Sequence, residues 1–124
     1  MTILVVEDNA ANRELLKEAL GARGHLVTEV TNGEEALATL TTWEPDLVLL
    51  DIQMPKIDGY EVIRRIRDDA RLRSLKVIAL TAFAMRGEEE KTRSAGFDGY
   101  VSKPISFKTL YQQIDAVMHV KETE

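Results

Sequence analysis

Five side chains able to do chemistry stand at the ends of apolar runs. Glu7 and Asp8 follow Ile3-Leu4-Val5-Val6, and Asp51 follows Leu47-Val48-Leu49-Leu50. Thr81 follows Val77-Ile78-Ala79-Leu80, and Lys103 follows Tyr100-Val101-Ser102 and precedes Pro104. Taken singly, each has a plain explanation. An acidic dipeptide after a strand is usually a solvated loop. A lone Asp is usually a turn residue and a lone Thr a helix cap. Lys-Pro is ordinary loop punctuation. Together, three carboxylates, one hydroxyl and one ammonium at four strand ends make a different inventory. It suits a hard cation held beside a nucleophilic carboxylate.

Electrostatics sharpens that expectation. Two carboxylates about 4 Å apart repel by on the order of 4 kcal/mol at an effective dielectric near 20. Protonation relieves the repulsion, and so does a divalent cation. Mg²⁺ takes a few carboxylate oxygens together with waters and a phosphate oxygen, whereas Zn²⁺ prefers His or Cys. The chain has no Cys, and its two histidines, His25 and His119, lie away from these strand ends. Mg²⁺ is therefore the expected cofactor.

The elements that position these residues alternate strand and helix five times. Strands are expected at residues 2–6, 25–30, 46–50, 75–80 and 98–102. The helix at 10–23 carries Ala11, Leu15, Leu16, Ala19 and Leu20 on one face, with Gly24 as its stop. Asn32 with Glu35, and Asp58 with Glu61, resemble capping boxes opening the second and third helices. A fourth, polar helix spans 86–95, and Ser106 caps a fifth carrying Leu110, Ile114 and Val117. The unbroken apolar run 47–50 suggests a strand buried on both faces, as in a parallel sheet. Five βα units with short connections imply an α/β fold with helices on both faces and right-handed crossovers. Functional sites in such sheets lie beyond the carboxyl ends of the strands, where the five residues gather.

Length and composition bound the rest. The 124 residues fit one domain, and 44% hydrophobic content supports a real core. The expected division is a domain over 1–120 and a short tail over 121–124. No run reaches the roughly 20 apolar residues of a membrane span, and no secretory signal pattern is present. A cytoplasmic location is expected, without membrane attachment. The net charge is −5, with 16 basic and 21 acidic residues. The basic residues are dispersed, so direct nucleic-acid binding is not expected.

Across nearly its whole length the sequence resembles the response-regulator receiver domain of two-component signalling. The resemblance is carried by Ile3-Leu4-Val5-Val6-Glu7-Asp8-Asn9, by Leu50-Asp51-Ile52-Gln53-Met54-Pro55 with Asp58-Gly59, by Leu80-Thr81-Ala82, and by Tyr100-Val101-Ser102-Lys103-Pro104. The stretches Thr81-Ala82-Phe83-Ala84-Met85 and Ser102-Lys103-Pro104-Ile105-Ser106 are similar to stand-alone cell-cycle receivers and hybrid-kinase receivers. The resemblance implies a flavodoxin-like doubly wound sheet of order 2-1-3-4-5. It implies that Asp51 accepts a phosphoryl group from the phosphohistidine of a histidine kinase or phosphotransfer protein. Mg²⁺ would be held by Glu7, Asp8, Asp51 and the backbone carbonyl of Gln53. Lys103 would pair with the phosphoryl group, Thr81 would give it a hydroxyl, and Tyr100 would change rotamer. The Lys103-Pro104 bond admits a cis peptide at modest cost. Fourth helix, fifth strand and fifth helix would form the face that meets a downstream protein. The chain would be a phosphorelay switch and not an enzyme, catalysing only its own phosphorylation and dephosphorylation.

Gln53 and Phe83 lie two positions past Asp51 and Thr81, where family members vary, and are expected to tune phosphoryl lifetime. Arg86 to Ser94 contains no large apolar residue, so the fourth helix is expected to bury little and shift easily. Two other functions fit the fold. One is a docking module that works without phosphorylation. The other is a Mg²⁺-dependent phosphohydrolase acting through an aspartyl phosphate. The latter typically needs a second aspartate two residues after the nucleophile, where this chain has Gln53. A flavin binder would want a Ser/Thr/Gly-rich phosphate loop in place of Glu7-Asp8-Asn9-Ala10.

Overall fold

The computed structural model describes residues 1–82 and 87–119, the last by its backbone. Phe83 and the expected tail at 121–124 lie outside the described residues. Five strands, β1 (Thr2–Val6), β2 (Leu26–Val30), β3 (Leu47–Asp51), β4 (Lys76–Thr81) and β5 (Gly99–Ser102), alternate with five helices. The helices are α1 (Ala10–Gly21), α2 (Gly33–Leu40), α3 (Gly59–Asp68), α4 (Glu88–Ala95) and α5 (Phe107–His119). The strands are all parallel, in the order β2-β1-β3-β4-β5. This is the flavodoxin-like arrangement that the family resemblance implied.

Strand pleating divides the core in two, because successive side chains point to opposite faces. Leu4, Val6, Val48 and Leu50 pack with Ala36, Val62, Ile63 and Ile66 beneath α2 and α3. Ile3, Val5, Leu47 and Leu49 pack with Leu16, Leu20, Leu110 and Ile114 beneath α1 and α5. β3 is buried at every residue, as its unbroken apolar run requires. β2 is different. It lies at the sheet edge, and Leu26 is 72% exposed.

The helix starts follow the cap residues. Asn9, Asn32, Asp58 and Ser106 each accept a backbone N–H from the first turn, at 2.9 to 3.1 Å. The expected capping boxes are half formed. Glu35 reaches back one residue further than expected and accepts the backbone N–H and hydroxyl of Thr31. Glu61 turns forward instead, to Arg64 and Arg65. Competing arginines one turn ahead account for the difference, because a bidentate Arg–carboxylate contact is the stronger bond.

Two local arrangements set where the strand-end loops lie. Gly59 opens α3 directly against the chain leaving β3. A Cβ there would meet the Ile52 Cα at 2.7 Å and the Asp51 carbonyl oxygen at 2.8 Å. Both neighbours are backbone, so neither yields cheaply. Gly59→Ala should therefore lower stability by about 2 kcal/mol, read as a shift in denaturation midpoint. A change below about 0.5 kcal/mol would count against this seating. The second arrangement is Arg67, on α3. Its guanidinium donates to the carbonyls of Gly96, Arg73 and Leu75 and to the Asp98 carboxylate, at 2.6 to 3.0 Å. Asp98 also accepts the Val77 N–H at 2.9 Å, joining the entrances of β4 and β5. Lysine lacks the fork needed for this pattern. Arg67→Lys should cost about 2 kcal/mol, and chemical denaturation gives the check.

α4 buries only Thr92 among its eight residues. That agrees with its polar sequence and leaves it the least anchored of the described helices.

Candidate functional site

Asp51 closes β3 and is only 1% exposed. Glu7, just past β1, is fully buried, while Asp8 beside it is exposed. The register of β1 against β3 pairs Val6 with Leu50, so the next residues on each strand, Glu7 and Asp51, come side by side. Carboxylate oxygens from Glu7, Asp8 and Asp51 all fall within 4.8 Å of one another.

Lys103 enters this group from the neighbouring edge. Its backbone N–H donates to the Thr81 carbonyl at 2.7 Å, just beyond the β4–β5 ladder. The peptide bond from Lys103 to Pro104 is cis. The Lys103 ammonium then lies 2.8 Å from Glu7 Oε1 and 2.9 Å from Asp51 Oδ2. Burial alone would push this ammonium down. The Glu7 and Asp51 carboxylates outweigh burial and hold its pKa above the usual 10.5. Glu7 is pushed above its ordinary 4.5 by burial first and by Asp51 second, with Lys103 opposing.

The site is therefore short of positive charge. A single ammonium faces two buried carboxylates and a third exposed one. Glu7 Oε1 has the ammonium's charge beside it but no aligned hydrogen-bond donor among the described residues. Two buried carboxylates sharing one ammonium still leave negative charge that a second cation or a proton would neutralise. The all-oxygen donor set fits Mg²⁺, which keeps waters on its open side. Exposed Asp8 supplies such a side.

Two features here escaped the sequence reading. Arg13, one turn into α1, donates to the carbonyls of Glu7 at 2.9 Å and Asp8 at 3.0 Å. It also lies 3.7 Å from Glu29 on β2. This fixes the backbone that carries two of the carboxylates. A lone helical arginine gives no pattern by which to foresee it. The second is the Gln53 side chain, expected only to influence water access. Its backbone N–H donates to Asp51 Oδ1 at 3.0 Å. Its Nε2 donates to Thr81 Oγ1 at 3.1 Å, and its Oε1 accepts the Ala82 N–H at 3.1 Å.

Thr81 is fully buried at the end of β4. Tyr100 stands apart from the carboxylates. It pairs with Ala79 across the sheet, and its phenol is pushed up by burial and by Glu88 and Glu89 near the start of α4. The structure thus gathers Glu7, Asp8, Asp51, Gln53, Thr81 and Lys103, with Tyr100 toward α4.

Comparison with known proteins gives consistent matches. The sequence profile of the response regulator receiver domain matches residues 3–115. The chain is 41% identical over 117 residues to the polar-differentiation response regulator DivK of Brucella anthropi, covering 94% of this chain and 95% of that one. Its fold is similar to the receiver domain of a sensor histidine kinase from Pseudomonas aeruginosa, at TM-score 0.84 and 34% identity, covering 93% and 94% of the two chains. That structure has a magnesium ion coordinated in its active-site cleft. The receiver domain of a histidine kinase from Syntrophus aciditrophicus is similar at TM-score 0.85 and 32% identity, covering 94% and 89%.

Proposed function

The chain belongs to the response regulator receiver domain family, and we propose that Asp51 is its phosphoacceptor. The family membership makes the chain a phosphorylation-dependent signalling switch. The observation that supports Asp51 is its position: buried at the centre of the sheet edge, with Oδ2 beside Lys103 and Oδ1 bound by the Gln53 amide. Those contacts hold the carboxylate in one orientation, which in-line attack on phosphorus needs.

In the proposed reaction, an Asp51 oxygen attacks the phosphorus of a phosphohistidine on a histidine kinase or phosphotransfer protein. The phosphorus–nitrogen bond breaks as the new phosphorus–oxygen bond forms, and the leaving imidazole takes up a proton. Mg²⁺, held by Glu7, Asp8, Asp51 and the Gln53 carbonyl, would neutralise charge on the transferring oxygens. Lys103, 2.9 Å from Asp51 Oδ2, would supply a second positive charge. Thr81, on the neighbouring strand, offers a hydroxyl to the new group. Tyr100, α4, β5 and α5 would then present a changed face to a downstream protein. The chain would act in the cytoplasm and turn over only its own acyl phosphate.

Incubation with acetyl phosphate and Mg²⁺, followed by intact-mass measurement, tests this. One phosphoryl group per chain is expected, and EDTA should prevent it. Folded protein that takes up none would overturn the proposal and leave a phosphorylation-independent docking module.

A further inference from the structure

The hydrogen bonds of Gln53 carry a consequence for switching. Its carboxamide spans from the loop after Asp51 to the end of β4. There it engages two polar groups at once, the Thr81 hydroxyl and the Ala82 backbone N–H. The orientation of the amide follows from donor chemistry. A backbone N–H can only donate, so the carboxamide oxygen must face Ala82, which turns Nε2 to Thr81. Toward Gln53, the Thr81 oxygen therefore acts as an acceptor.

A phosphoryl group on Asp51 is an acceptor with three strong oxygens. Its oxygens would draw donors from the end of β4. The Thr81 hydroxyl can donate to them while still accepting from Nε2, because a hydroxyl carries one donor and two acceptor sites. The Ala82 N–H has one hydrogen to give, so it cannot serve Gln53 Oε1 and the phosphoryl group together.

We propose that the Gln53 carboxamide is a built-in placeholder for the phosphoryl group. It holds Thr81 and Ala82 in the unmodified protein, and its release is part of the energetic cost of switching. This rests on Asp51 being the acceptor. Gln53 is then a positioning residue that acts through Thr81 and Ala82. The effect is distinct from shielding an acyl phosphate from water, because it acts before any phosphoryl group arrives.

The size of the effect follows from the bonds. One neutral hydrogen bond, that to Ala82, contributes roughly fivefold to the balance between held and released states. The test uses full-length Gln53→Met, which keeps the volume and removes both bonds, and Gln53→Glu, which keeps the acceptor facing Ala82. The first readout is hydrogen exchange of the Ala82 amide in unmodified, metal-free protein. Protection should fall roughly fivefold in Gln53→Met and be retained in Gln53→Glu. The second readout is titration with beryllofluoride and Mg²⁺, a mimic of the acyl phosphate. Gln53→Met should bind it roughly fivefold more tightly than wild type. Unchanged Ala82 exchange in a folded Gln53→Met would overturn the placeholder. So would beryllofluoride affinity equal to or weaker than wild type. If wild type takes neither beryllofluoride nor a phosphoryl group, the acceptor assignment fails. The Ala82 exchange result still decides whether Gln53 holds the loop.

Discussion

Asp51→Asn abolishes the phosphoryl adduct formed with acetyl phosphate and weakens Mg²⁺ binding at the same time. An amide oxygen is a poor nucleophile, and its replacement removes one charged member of the three-carboxylate cluster. Losing one such ligand is worth at least about 1.4 kcal/mol, a factor of ten in affinity. Mass measurement reads the first effect and Mg²⁺ titration by calorimetry the second. The same change should raise the denaturation midpoint of the metal-free protein. Asn keeps an oxygen for the Gln53 N–H, and Glu7 then faces Lys103 without a competing carboxylate. Adduct formation at another residue would defeat the assignment. Loss of the adduct with Mg²⁺ affinity intact would separate acceptor from ligand.

Lys103→Met is expected to be the most damaging single change to the metal-free fold. It strips the ammonium from two carboxylates that are 0% and 1% exposed. Removing one partner from a buried ion pair costs about 3 kcal/mol or more. For a chain of this size that lowers Tm by roughly 10 °C. The loss should shrink in acid. Glu7 already has a folded-state pKa above 4.5, raised by burial and then by Asp51. A raised pKa means the native state holds its proton more tightly than the unfolded chain. That contribution is complete below about 4.5 and is lost as pH climbs through the raised value. Without Lys103 the raised value moves higher still, so the variant's deficit should widen from pH 4.5 to neutrality. Melts in EDTA across that range provide the check. A deficit independent of pH would mean that Lys103 supports packing and not charge.

Much of this site was legible before any coordinates. Glu7, Asp51, Thr81 and Lys103 each end an apolar run, and a parallel sheet aligns such ends at one edge. The apolar periodicity also placed α1, α2, α3 and α5, since Leu16, Leu40, Ile63 and Ile114 recur at helical spacing on buried faces, whereas α4 was read from its polar, helix-favouring composition alone. Cap chemistry placed the helix starts at Asn32, Asp58 and Ser106, because a side-chain acceptor for a first-turn N–H is a local property; the Asn9 cap emerged only in the structure. What sequence spacing could not supply was long-range side-chain choice. Arg13, Gln53 and Arg67 are flexible polar residues in unremarkable contexts. Their partners, at Asp8, Ala82 and Gly96, are backbone groups whose availability depends on the finished loops. Glu35 and Glu61 show the same limit at short range, where a neighbouring hydroxyl or arginine diverted a carboxylate from its expected bond.

The Arg67 guanidinium has one more consequence, for the geometry of motion. By binding the Gly96 carbonyl twice, it pins the carboxyl-terminal end of α4 to α3 and to the entrances of β4 and β5. The opposite end of α4 is held more lightly, by the Tyr60 hydroxyl donating to Glu88 at 3.3 Å and by Lys91 over the Tyr60 ring. An element fixed at one end behaves as a lever. Eight residues give an arm of about 12 Å, so a tilt of roughly 10° carries the far tip about 2 Å while the pivot stays still. That far tip is the end nearer β4 in the sequence, so a small push there has more leverage than one applied at the pivot.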